Sequence, residues 1–187
     1  MAPLHSQNES AGLREPAWSP DGKRLAVVYL DRIWTMQPDG RDARGLLRET
    51  TPPIISEREP AWSPDGRRLA FAGDAGDGFR IYVAAARGGE PEPLTAMPGD
   101  SRSPSWAADG RIVFAHREVD SPQWDIYAVD PDARGVERTP QRLTQSADSE
   151  IHPRVSPDGR RVVFASDRES DDGDFDIWVM RLVSRTE

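Results

Sequence analysis

The heptapeptide PAWSPDG occupies residues 16–22 and returns unchanged at 60–66. Two identical stretches in a chain of 187 residues mean an internal repeat, and a repeat of fixed period dictates a fold built from copies of one unit. Pro20, Pro64, Ala108 and Pro157 mark the same point in four successive units, spaced by 44, 44 and 49 residues. The copies read PAWSPDGKRLAVVY, PAWSPDGRRLAFAG, PSWAADGRIVFAH and PRVSPDGRRVVFAS. Each predicts a hairpin. Proline fixes φ at the first central position of a type I turn, aspartate suits the second, and glycine takes the left-handed position after it.

A third strand follows in each unit: DRIWTM (31–36), FRIYVA (79–84), WDIYAV (124–129) and FDIWVM (175–180), all alternating with period two. A fourth follows in three units, as RGLLR (44–48), PEPLT (91–95) and PQRLT (140–144). Four short strands per unit of roughly 40–50 residues is the period of propeller blades. The expected fold is therefore all-β, a β-propeller of four four-stranded antiparallel blades in a single domain over 1–187. Its repeats fall near 16–50, 60–95, 104–144 and 153–187, with 1–15 as closing strand and linker. Trp18, Trp62 and Trp106 share one position on the first strand; Trp34 and Trp178 share one on the third with Tyr82 and Tyr127. Rings at repeated positions are expected to pack blade against blade, each worth about 2–3 kcal/mol when buried.

The phrase P-A-W-S-P-D-G-[KR]-R-L-A, followed by D-I-[YW]-x-[VM] and R-L-T, resembles the repeat of the TolB-like β-propellers over nearly the whole chain. Trp-Asp-repeat propellers share the S-P-D-G hairpin but close their third strand with Trp-Asp, and no third strand here ends in that pair. Val155 replaces the first-strand tryptophan in unit four, Ala107 and Ala108 replace Ser-Pro in unit three, and Arg32 and Arg80 replace the aspartate kept at Asp125 and Asp176. The resemblance implies a non-enzymatic scaffold that binds a protein or peptide. Some relatives of this type gate serine peptidases, but no hydrolase domain follows in this sequence, so peptidase activity is not expected.

Unit four runs from DIWVM into RLVSRTE without a turn, so its outer strand is missing. The beginning offers a spare: Pro3, Leu4 and His5 align with Pro93, Leu94 and Thr95, and the N-terminal strand is expected to complete the last blade of its own or a partner chain. Three closures stay open: a homodimer completing an eight-bladed ring, which the sequence favours, a fragment of a longer chain, and a self-closed four-bladed ring. An engineered or recently amplified half-propeller that only assembles is a further alternative.

Composition excludes several classes. A net charge of -8, with 24 basic residues scattered among 32 acidic ones, repels phosphate backbones, so nucleic acid is not an expected partner. No apolar run approaches a membrane-spanning length, and MAPLHSQNES lacks the basic and apolar regions of a secretory signal. As written the chain is expected in the cytoplasm, or in the periplasm if it is a mature portion. Absent cysteine removes disulfides and thiolate metal sites. The sequon Asn8-Glu9-Ser10 is too short a motif to carry weight.

No nucleophile elbow, phosphate loop or zinc helix motif occurs, and Lys23 is the single lysine, so no cofactor and no catalytic residue is expected. One constellation stands out. The residues before the repeated first-strand proline are Glu15, Glu59, Ser103 and His152, which blade symmetry places on one ring at the channel mouth, with Arg14, Arg58 and Arg102 preceding three of them. Glu and Arg there either pair with each other along a wet channel or bind a small ligand or peptide, the arginines taking a carboxylate or phosphate. Glu15, Glu59 and His152 are the candidates for a divalent cation, which would make the chain a propeller lyase or hydrolase. The acidic loop DRESDDGDFD (167–176) lacks the glycine placement of an EF-hand and reads as a solvated hairpin tip.

Overall fold

The computed structural model describes residues 12–48, 50–170 and 172–183. Among the described residues, fifteen strands form four separate antiparallel sheets, each a meander in chain order. Blade 1 holds β1 (Arg14–Trp18), β2 (Leu25–Tyr29), β3 (Arg32–Met36) and β4 (Arg44–Gly45). Blade 2 holds β5 (Ser56–Trp62), β6 (Arg68–Asp74), β7 (Phe79–Ala85) and β8 (Glu92–Pro93). Blade 3 holds β9 (Gly99–Trp106), β10 (Ile112–Glu118), β11 (Asp125–Val129) and β12 (Gln141–Arg142). Blade 4 holds β13 (Glu150–Val155), β14 (Arg161–Ser166) and β15 (Asp176–Arg181). The one helical element among the described residues is a 3₁₀ turn at Gly135–Arg138.

The repeated turn closes as its residues dictate. The N–H of Gly22 donates to Ser19 O at 2.9 Å, and Gly66 to Ser63, Gly110 to Ala107 and Gly159 to Ser156 repeat it. In three blades the serine fastens the turn twice: Ser63 Oγ donates to Asp65 Oδ1 at 2.6 Å and accepts from the N–H of Arg68 at 2.9 Å. Blade 3, which has Ala107 there, replaces that clasp with Arg111, whose guanidinium donates to Asp109 Oδ2 at 2.9 Å.

Each first strand carries a break in register where residue meets proline, at Arg14/Ala17, Arg58/Ala61 and Ile151/Arg154 and at the matching place in β9. The residue before proline is left-handed every time: Glu15 (φ 53°), Glu59 (φ 54°), Ser103 (φ 54°) and His152 (φ 53°). Such a conformation is uncommon for non-glycine residues and costs on the order of 1–3 kcal/mol, so the surrounding structure must hold it.

Apolar faces meet between blades. Ala26, Val28 and Ile33 of blade 1 pack on Trp62, Leu69, Phe71 and Tyr82 of blade 2; the same positions repeat between blades 2 and 3 and between blades 3 and 4. The tryptophans lock these contacts: Trp62 Nε1 donates to Ala17 O and Trp106 Nε1 to Ala61 O, both at 3.1 Å, and both rings are under one-tenth exposed. No such core joins blade 4 to blade 1 among the described residues. Trp18 is 59% exposed, and on blade 4 Val163, Ile177 and Val179 are 36%, 73% and 60% exposed. Among the described residues, the two ends of the four-bladed arc are therefore exposed rather than packed on one another. The expected strand at Pro3, Leu4 and His5 and the sequon at Asn8 lie outside the described residues, and blade 4 shows three strands.

Candidate functional site

The left-handed bulge aims each of these residues at the neighbouring blade. Turning Glu59 out of the ladder frees its N–H, which donates to Glu15 Oε2 at 2.6 Å across the boundary between blades 1 and 2. One blade on, the N–H and Oγ of Ser103 donate to Glu59 Oε2 and Oε1 at 2.7 and 2.8 Å. Ser103 Oγ also lies 3.2 Å from His152 Nδ1. The four residues singled out by the repeat are thus one hydrogen-bonded chain from blade 1 to blade 4. Charge-assisted bonds of this kind are roughly twice as strong as neutral ones, and they offset the cost of the bulges.

The arginines do not pair with these carboxylates in that chain. Arg14 and Arg58 both bind Asp31 Oδ1, at 2.6 and 2.7 Å, and the guanidinium of Arg102 lies 4.1 Å from the centroid of the Phe79 ring. Arg102 also lines a cleft of about 210 Å³ between blades 3 and 4, with Glu59, Ser103, Trp124, Ile151 and His152. Ser103 is buried and its hydroxyl is held between a carboxylate and an imidazole; Arg102 and His152 are exposed. The cleft therefore presents a cation, an imidazole and the Trp124 wall. Among the described residues no group of three or more His, Asp and Glu is placed to hold a metal ion.

A second layer lies three residues before each proline, at Glu57, Ser101 and Glu150, all buried. Glu57 Oε2 accepts the N–H of Ile33 at 2.7 Å and its Oε1 accepts from Arg32 at 3.0 Å. Burial pushes the Glu57 carboxyl up, against the opposing pull of those donors. Glu150 pairs with Arg168 at 2.7 Å. Ser101 Oγ lies 3.0 Å from His116 Nδ1, and His116 meets the Tyr127 ring edge-on at 5.4 Å. Burial lowers the pKa of His116. Aligning the repeats on their prolines would have revealed this position, since it reads Glu, Ser, Glu in three units.

The sequence matches the TolB beta propeller domain family over residues 5–137 and 32–186. It is 32% identical over 169 residues to an uncharacterized protein of Agrobacterium fabrum, covering 89% of this chain and 54% of that protein. Among solved structures, a TolB-type protein of Agrobacterium tumefaciens superposes with a TM-score of 0.76 at 25% identity, covering 91% of this chain and 58% of that one. A puromycin-hydrolyzing peptidase of Mycobacterium tuberculosis superposes at 0.69 and 22% identity, covering 94% of this chain and 29% of the peptidase. The chain spans about half the length of the curated relative it matches.

Proposed function

The chain belongs to the TolB β-propeller family, and from that premise we propose that it is a non-enzymatic scaffold that binds a protein or peptide at the channel mouth. The observation that carries this reading is the fate of the polar ring. Glu15 Oε2 accepts the backbone N–H of Glu59, Glu59 accepts both the N–H and the hydroxyl of Ser103, and that hydroxyl is buried between Glu59 and His152. The ring holds blades in place rather than offering a free nucleophile or base. What faces solvent is Arg102 and His152 beside Trp124, a set suited to a carboxylate next to an apolar side chain. A peptide with an acidic side chain or a free C-terminus fits that chemistry.

The test is binding of an array of acidic and C-terminal peptides, compared between the unaltered chain and the Arg102→Glu and Trp124→Ala variants. Loss of binding in both, with binding kept by Arg41→Glu away from the cleft, supports the reading. Turnover of ester or peptide substrates that Ser103→Ala abolishes would replace the scaffold with a hydrolase.

A further inference from the structure

The contact between blades 2 and 3 has four parts, of which the tryptophan bond and the apolar face recur between blades 1 and 2. A first-strand tryptophan donates to the carbonyl of the residue before its counterpart on the preceding blade, as Trp62 does to Ala17 and Trp106 to Ala61. At the boundary of blades 2 and 3, Arg68 of the earlier blade stacks on the Trp106 indole at 4.9 Å. The same Arg68 forms a two-pronged pair with Asp132 of the later blade, at 2.8 and 3.0 Å. The middle strands supply an apolar face, which in blade 2 is Ala70, Ala72, Ile81 and Val83, each at most 7% exposed.

Both ends of the arc carry halves of this contact without the other. Trp18 stands where Trp62 and Trp106 stand but is 59% exposed. On blade 4, Val163, Ile177 and Val179 occupy the places of Ala70, Ile81 and Val83 and are open to solvent. Arg161 follows its turn as Arg68 does and is exposed, and Arg154 precedes Val155 as Ala17 precedes Trp18. The Trp18 indole at one end matches the Arg154 carbonyl, the Arg161 cation and the apolar face at the other.

We propose that a second copy of this chain docks head to tail on blade 4, with its Trp18 indole donating to Arg154 O beneath the Arg161 guanidinium and its blade 1 covering Val163, Ile177 and Val179. The reciprocal contact seals the other end, giving a two-fold pair in which both heterologous interfaces close. Exposed large apolar side chains gathered on one face mark an interaction surface, and here the repeat itself names what fits it.

Light scattering on the unaltered chain should give about 42 kDa, twice 20.8 kDa. Trp18→Asp and Ile177→Asp each damage one half of both interfaces and should each halve the mass while leaving the circular dichroism unchanged. Mixing the two variants should restore a dimer, because one interface of the mixed pair is then wholly intact. A 20.8 kDa unaltered chain, open-ended larger assemblies, or a dimer that survives both substitutions would overturn the proposal. Should one variant fail to fold, the other alone still decides between a halved and an unchanged mass.

Discussion

The backbone N–H of Glu59 points at Glu15 Oε2 from 2.6 Å, across a blade boundary, because Glu59 sits in a left-handed bulge. The carboxylate of Glu59 then serves Ser103 of the next blade through two bonds. Glu59→Ala strips both acceptors from a buried serine and should lower the free energy of unfolding by about 2–4 kcal/mol, while Glu59→Gln, which keeps one oxygen acceptor, should cost less than half as much. Urea titration of the three proteins reads the difference. Equal losses for Ala and Gln would show that the bulge, not the carboxylate, sets the boundary.

Blades 2 and 3 satisfy one buried N–H with a threonine. Thr95 Oγ1 accepts from Ile81 at 2.9 Å and Thr144 Oγ1 from Ile126 at 2.8 Å. Blade 1 has Leu47 at that position, since the N–H of Leu46 meets Ile33 O as Leu94 meets Ile81. Glu57 of the next blade takes over and accepts from Ile33. Glu57→Ala should therefore cost about 2–3 kcal/mol by orphaning a buried donor. Adding Leu47→Thr should recover part of that loss by restoring the hydroxyl. A second change that only adds to the first in urea titration would sink this equivalence.

The blades were legible because their signals are local or periodic. Pro-Asp-Gly sets its own turn, and a period near 44 residues fixes four units whatever surrounds them. The ring of Glu15, Glu59, Ser103 and His152 was also legible as a set of equivalent positions. Its chemistry was not, since a residue before proline is steered toward extended backbone and nothing local announces a left-handed bulge. Arg14 and Arg58 meet at Asp31 because Asp31 ends a tight β2–β3 turn at φ 58°, which Leu-Asp does not advertise as Asn-Gly would. Glu57 stayed hidden because its partner lies on another blade.

His116 is buried, held by Ser101 and edge-on to Tyr127, with its pKa lowered by burial despite the opposing charges of Glu118, Asp100 and Asp125. The unfolded chain takes up this proton near pH 6.5 and the folded one only at lower pH, so the stability His116 contributes is whole above about 6.5 and lost as pH falls toward its folded value. Urea midpoints should fall as the pH drops below about 6.5, and His116→Gln should flatten that slope. An unchanged slope in the variant would assign the acid sensitivity elsewhere.

The hairpin carboxylates titrate the other end of the scale. Asp65 is held below the ordinary aspartate range first by the Ser63 hydroxyl and then by the N–H of Arg67. Asp21 and Asp158 are held down in the same way by Ser19 and Ser156. A lowered folded pKa means stability that is present above the unfolded value, near 3.9, and is lost as pH falls through the folded value. Ser63→Ala removes the principal donor to Asp65 together with the acceptor for the N–H of Arg68, and at pH 7 should cost about 1–2 kcal/mol. Below about pH 4 the gap between variant and parent should narrow, because protonation of Asp65 removes from the parent the charged acceptor that the serine serves. The same substitution cannot be made in blade 3, where Ala107 already stands and Arg111 holds Asp109 instead. That hairpin should therefore be the one whose hydrogen-exchange protection owes nothing to a serine clasp, and Arg111→Ala should open it while leaving protection of the other three turns unchanged.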